Sequence, residues 1–121
     1  MLISATDLSP GERLEVWRRR NGLTQPEAAA RCGLSDNAYK RFERGEAPGM
    51  PEPHAISLGR LSDGEQCRIL RRREGLTLEE VQELSGFHRK WVHRIETGQR
   101  NPATTAALVG FWTAYLRERG R

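Results

Sequence analysis

The chain has 121 residues, 36% hydrophobic and 30% charged, enough for one domain or two very small ones. Its formal net charge is +4 and its isoelectric point about 9.7, a balance that favours acidic partners such as nucleic acid or an anionic membrane. No run nears the roughly 20 apolar residues of a membrane span, and the N-terminus lacks the basic start and apolar stretch of a signal peptide, so a cytoplasmic protein without a membrane partner is expected.

From the N-terminus, the pattern predicts a helix over 10–21, with Pro10 in the first turn, Leu14 and Trp17 on one face and Gly22 as the stop. Thr24, with Glu27 three residues later, has the spacing of a capping box and starts a second helix that ends at Gly33. Ser35 starts a third over 36–44, with Tyr39 and Phe42 facing inward and Gly45 closing it. Pro48, Pro51 and Pro53 then forbid a long helix, and a short helical piece is expected around 54–61.

The remainder repeats this plan. Residues 8–46 align without a gap on 61–99 at an offset of 53, with fifteen identities in 39 positions. Among them are Gly11/Gly64, Arg18/Arg71, Thr24/Thr77, Glu27/Glu80, Gly33/Gly86, Arg41/Arg94 and Glu43/Glu96. Identity at that level marks one structural unit used twice. The second copy predicts helices over 64–74, 77–85 and 88–97, with Val92 and Ile95 in the inward slots. In both copies a link of about three residues joins two short helices, the length a helix-turn-helix uses.

After Gly98, the string Gln99-Arg100-Asn101-Pro102 leads into a longer helix over about 103–117. Its Leu108, Phe111, Trp112 and Tyr115 make an apolar stripe, expected to pack the two copies together, with a homodimer interface as the alternative. Strand-type alternation is absent, so the fold class is all-α, with units over 8–60 and 61–119. Units this small are marginal alone and are expected to pack on each other.

Charge is uneven between them: nine Lys+Arg face eight Asp+Glu in residues 1–60, eleven face eight in 61–121. Cys32 and Cys67 fit no metal-ligand spacing. His88 and His93 stand five apart, which does not put both on one helix face as zinc ligands. No Gly-rich phosphate loop and no nucleophile-base-acid set occurs, so neither an enzyme nor a metal or cofactor is expected.

The strings from Gly22 through Arg41-Phe42-Glu43-Arg44-Gly45 and from Gly75 through Arg94-Ile95-Glu96-Thr97-Gly98 resemble the Cro/CI (XRE) family of phage and bacterial regulators. The resemblance covers roughly 10–60 and 63–116. It implies two tandem lambda-repressor-like helix-turn-helix units and a sequence-specific regulator of double-stranded DNA, a repressor or activator of phage or mobile-element type. The third helix of one or both units would enter the major groove.

On that basis the base-reading candidates are Ser35, Asn37, Lys40 and Arg41 in the first unit and His88, Arg89, Lys90, His93 and Arg94 in the second, which also exposes Trp91. Phosphate contacts are expected from Gln25, Arg44, Arg100 and Asn101. Arg18 with Glu43, and Arg71 with Glu96, match a pair that in the family bridges the first and third helices, and are read as structural. Arg19, Arg20, Arg72 and Arg73 are expected on solvated helix surface.

The two copies depart from the family at different places. Leu78 replaces the phosphate-contacting amide of Gln25, and Gln82 stands at a position kept small elsewhere, where its amide must turn outward or find a partner. The first unit's loop, Glu46-Ala47-Pro48, has no basic group matching Arg100. A second reading is therefore a protein-binding module, an antitoxin or anti-activator, with Trp91, Trp112 and Tyr115 anchoring a partner protein.

Overall fold

A computed structural model of the chain describes residues 2–47, 58–98 and 101–120. Among these residues are α1 (Pro10–Arg20), α2 (Gln25–Cys32), α3 (Asp36–Glu43), α4 (Asp63–Arg73), α5 (Leu78–Ser85), α6 (Arg89–Glu96) and α7 (Pro102–Arg119), preceded by a 3-10 turn at Ala5–Asp7, with no strand. The chain divides into two units: Ala5–Arg60, and Leu61–Arg121 together with Met1–Ser4.

The helices start where side chains replace missing backbone partners. Ser9, Thr24, Ser62 and Thr77 each accept the N–H of a Glu three residues on, and that Glu accepts the cap residue's own N–H. Two orphan donors are thus satisfied at four helix starts, each cap contributing about 1 kcal/mol. The bonds from Thr24 hold the Glu27 carboxyl below its usual range. Between α2 and α3, and between α5 and α6, the turn passes through Gly33 (φ +69°) and Gly86 (φ +82°), left-handed conformations that favour glycine.

In the first unit, Leu14, Ala28, Ala29 and Tyr39 form the buried cluster, flanked by Trp17, Leu23, Cys32, Leu34 and Phe42. In the second, Cys67, Leu70, Val81, Val92 and Ile95 occupy the corresponding centre, and Leu108 and Trp112 of α7 complete it. The α7 stripe is covered within its own unit: Leu108 and Trp112 are wholly buried in that core, with Phe111 and Tyr115 packed beside them, which corrects the expectation that Trp112 anchors a partner protein. Trp112 meets Phe111 (5.1 Å between centroids) and Tyr115 (5.3 Å) edge to face, and Phe111 and Tyr115 lie tilted at 5.8 Å. Burial, with the nearby charges of Glu96 and Asp63, pushes the Cys67 thiol up to about 12, so it stays a neutral small hydrophobe.

Two further differences concern segments at the edges of the units. Of the helical piece expected around 54–61, residues 54–57 lie outside the described residues and Leu58 to Leu61 are not helical. Arg20 is exposed, as expected, and donates to the carbonyls of Leu58 and Arg60. The N-terminal residues belong with the second unit: Gln66 Oε1 accepts from the N–H of Leu2 (2.8 Å) and Ile3 (3.2 Å), and both side chains pack on that core.

The repeated Gly11/Gly64 pair has a steric cause. A Cβ on Gly64 would stand 2.0 Å from the Ile95 carbonyl oxygen, and one on Gly11 would stand 2.5 Å from those of Phe42 and Glu43. The first helix of each unit therefore lies directly against the end of the third, and only a residue without a side chain permits it. Gly64→Ala should destabilise the protein by about 1–3 kcal/mol through overpacking. Gly110, with nothing within 4 Å of an added Cβ, should accept Ala at no cost. Thermal melts of the two variants check the contrast; equal melting temperatures would refute it.

Candidate nucleic-acid interface

Each unit fixes its third helix with an ion pair to its first. In the first unit Arg18 Nε donates to Glu43 Oε2 at 2.7 Å while Arg18 Nη1 donates to the Leu23 carbonyl at 3.2 Å. In the second, Arg71 makes a two-point contact with Glu96, 2.8 and 2.9 Å, and donates to the Leu76 carbonyl at 3.0 Å. Burial alone would lower the Arg18 pKa, but the hydrogen bond and charge of Glu43 outweigh it and raise it. Tyr39, buried beside Glu43 but outside hydrogen-bond geometry, has its phenol pushed well above the usual range by burial and by that carboxylate.

With the inner side of α6 anchored by Val92, Ile95 and Glu96, the helical period of about 100° per residue fixes its outer side. Lys90 and Arg94, one turn apart, fall opposite Val92; Trp91 and His93 flank them, and Arg89 opens the first turn. All five, with His88, are exposed. No acidic residue lies on that side, and among the described residues no carboxylate pairs with Lys90 or Arg94. Arg89 Nη1 stands 3.7 Å from Glu79 Oε1, both well exposed, a pair too solvated to hold it firmly.

His88 is the helix cap: its Nδ1 accepts the Lys90 N–H at 3.1 Å, which leaves Nε2–H free to donate outward. Gln82, at the departure from the family pattern, has found a partner. Its Oε1 accepts the Arg89 N–H at 2.8 Å, so this amide adds a second cap to α6 from α5. Leu78, at the other departure, packs on the unit's core.

The corresponding side of α3 is less basic. Asn37 and Arg41 fall opposite the buried Tyr39, Lys40 is half-buried, and Asp36 occupies the place of Arg89. Ser35 caps the helix, its Oγ accepting the Ala38 N–H at 3.2 Å. Ala38 stands where the second unit has Trp91.

The expected phosphate contacts are placed unevenly. Gln25 Nε2 donates to Glu43 Oε1 at 3.0 Å, which ties one amide hydrogen to the ion pair. Arg44 is exposed and pairs with Glu46 at 3.0 Å. Asn101 is exposed and caps α7, its Oδ1 accepting from the N–H of Ala103 (3.0 Å) and Thr104 (3.3 Å). Arg100 lies outside the described residues.

Sequence reasoning did not foresee the stacking of the Arg94 guanidinium on the Trp91 ring, 5.0 Å from the centroid. The i, i+3 spacing of the two residues on an exposed helix side was the signal that could have found it. Among the described residues no helix is long and apolar enough to cross a membrane, and no group of three or more His, Cys, Asp or Glu could hold a metal ion.

No curated protein and no solved structure matches the chain. A family model described as "Helix-turn-helix domain" matches it twice, at residues 11–61 and 64–119, one match on each group of helices built above. The chain therefore belongs to the helix-turn-helix domain family and carries two of its units in tandem.

Proposed function

We propose that the protein is a sequence-specific double-stranded DNA-binding transcriptional regulator of Cro/CI (XRE) type, a repressor or activator of the kind used by phages and mobile elements. The second unit is the main reader. The observation that carries this is the outer side of α6, where His88, Arg89, Lys90, His93 and Arg94 are exposed with no acid among them, on a helix held rigidly from below. Such a rod fits the major groove with its N-terminal turns near base edges. Ser35, Asn37, Lys40 and Arg41 supply a weaker second reading surface. Arg44, Arg100, Asn101 and the remaining amide hydrogen of Gln25 serve the phosphates.

Selection of bound fragments from random duplex DNA, followed by titration of the winning site at several salt concentrations, tests the reading. A defined site should emerge, with affinity falling steeply between about 50 and 200 mM salt as phosphate counterions are released. Absence of binding, or binding indifferent to salt, would reject it.

A protein-binding module is favoured by a separate observation: Leu84 (55% exposed) and Trp91 (46%) are large apolar side chains open to water on α5 and α6. Isolation of the full chain from its native host in constant stoichiometry with a partner protein, released by Leu84→Ala, would support that reading over the first.

A further inference from the structure

We propose that Trp91 and Arg94 act as one reading element that selects a thymine methyl group beside a guanine; the inference rests on the DNA-binding reading above. Three observations carry it. Trp91 is 46% exposed in the first turn of α6, where a large apolar ring has no role in the unit's core. The Arg94 guanidinium lies over that ring at 5.0 Å, which restricts its rotamers, and among the described residues no carboxylate engages its N–H groups. The first unit has Ala38 and Arg41 at the same positions, so the stack belongs to the second unit alone.

The chemistry of base edges then limits the target. A guanidinium with its donors free is the partner of guanine O6 and N7, and an apolar ring edge beside it has one natural contact in the major groove, the C5-methyl of thymine. The 5.0 Å between ring and guanidinium is shorter than two base-pair rises of about 3.4 Å each, which keeps the two contacts on the same or adjoining pairs; the proposed element takes adjoining ones. The same methyl is carried by 5-methylcytosine, and the two sources are separable by substitution in the DNA. Trp91 is a positioning residue for Arg94 as well as a contact.

The experiment uses the full chain and the site obtained by selection. Replacing the thymine beside the guanine by deoxyuridine removes only the methyl. It should weaken wild-type binding about 3- to 5-fold, the effect of one buried carbon, and weaken a Trp91→Ala chain less than about 1.5-fold. Replacing the same base by cytosine should weaken binding further, and 5-methylcytosine should recover part of that loss if the methyl alone is sensed. Trp91→Phe should keep the uridine discrimination. A purely structural role for Trp91 would lower affinity without changing this ratio, and the helical circular dichroism of each variant shows that it folds. Equal uridine sensitivity in wild type and Trp91→Ala, or a selected site without a thymine next to a guanine, overturns the inference and leaves the DNA-binding reading standing. Failure to select any site overturns both.

Discussion

An Arg89→Ala/Arg94→Ala chain should fold normally and lose specific DNA binding. Both side chains are exposed and neither contributes to the core, so the circular dichroism and melting temperature should stay near wild type. Arg94 lies opposite the buried Val92, and Arg89 opens the helix at the end that approaches base edges. A good two-point contact to a base is worth about 1–3 kcal/mol of discrimination, so loss of two should weaken the selected site by about 30-fold to about 20,000-fold. Fluorescence anisotropy titration on the selected duplex measures this, with an unrelated duplex as reference. Affinity for the unrelated duplex should fall far less, because other cations still meet phosphates. Asn37→Ala/Arg41→Ala, the corresponding change on α3, should cost less. If the second-unit variant keeps full affinity and the first-unit variant loses it, the assignment of the main reader is reversed.

Glu96→Ala should destabilise the protein strongly. The Glu96 side chain is 1% exposed and takes both hydrogen bonds from Arg71, with Arg68 Nη1 3.9 Å away. Its removal leaves the half-buried Arg71 guanidinium with only the Leu76 carbonyl. Breaking a buried pair from one side costs about 3–5 kcal/mol, far more than the pair contributes over an apolar replacement. In a unit of this size each kcal/mol moves the melting temperature by about 4–8 °C. Glu43→Ala should cost less, because Glu43 is less buried and the Arg18 contact is asymmetric, at 2.7 and 3.5 Å. Paired thermal melts decide the order. A Glu96→Ala chain that melts with wild type would show that α6 is held by Val92 and Ile95 alone, and that the ion pair does not orient the reading helix.

The repeat itself was legible because it is written in residue types with local causes. Ser or Thr with Glu three residues on marks a helix start through two short-range hydrogen bonds, and glycine past the end marks the stop through its left-handed φ. Both signals act within a few residues, so each helix could be placed to within one or two positions from the chain alone. The outward residues of α3 and α6 followed from periodicity once Tyr39 and Val92 were taken as inward.

The partners of long or branching side chains were a different matter. Gln82 read as an awkward amide at a crowded position, and only the approach of α5 to α6 turned it into a cap for the Arg89 N–H. Gln25 read as a free phosphate donor until the fold brought Glu43 to its amide, 18 residues away in sequence. The aromatic stripe of α7 was visible, yet a stripe states only that something covers it; packing against α4 and α6 decided that its own unit does. The same holds for Leu2 and Ile3, whose partner Gln66 lies more than 60 residues downstream.

The amino-acid sequence by itself determined the helices, their caps, the twofold repeat and which side of each third helix faces out, because all of these follow from interactions within one or two helical turns. Tertiary structure alone decided which buried groups meet, that Gly11 and Gly64 admit a neighbouring backbone, and that α7 closes the second unit. Those outcomes depend on where helices distant in the chain cross, and no local pattern encodes the geometry of a crossing.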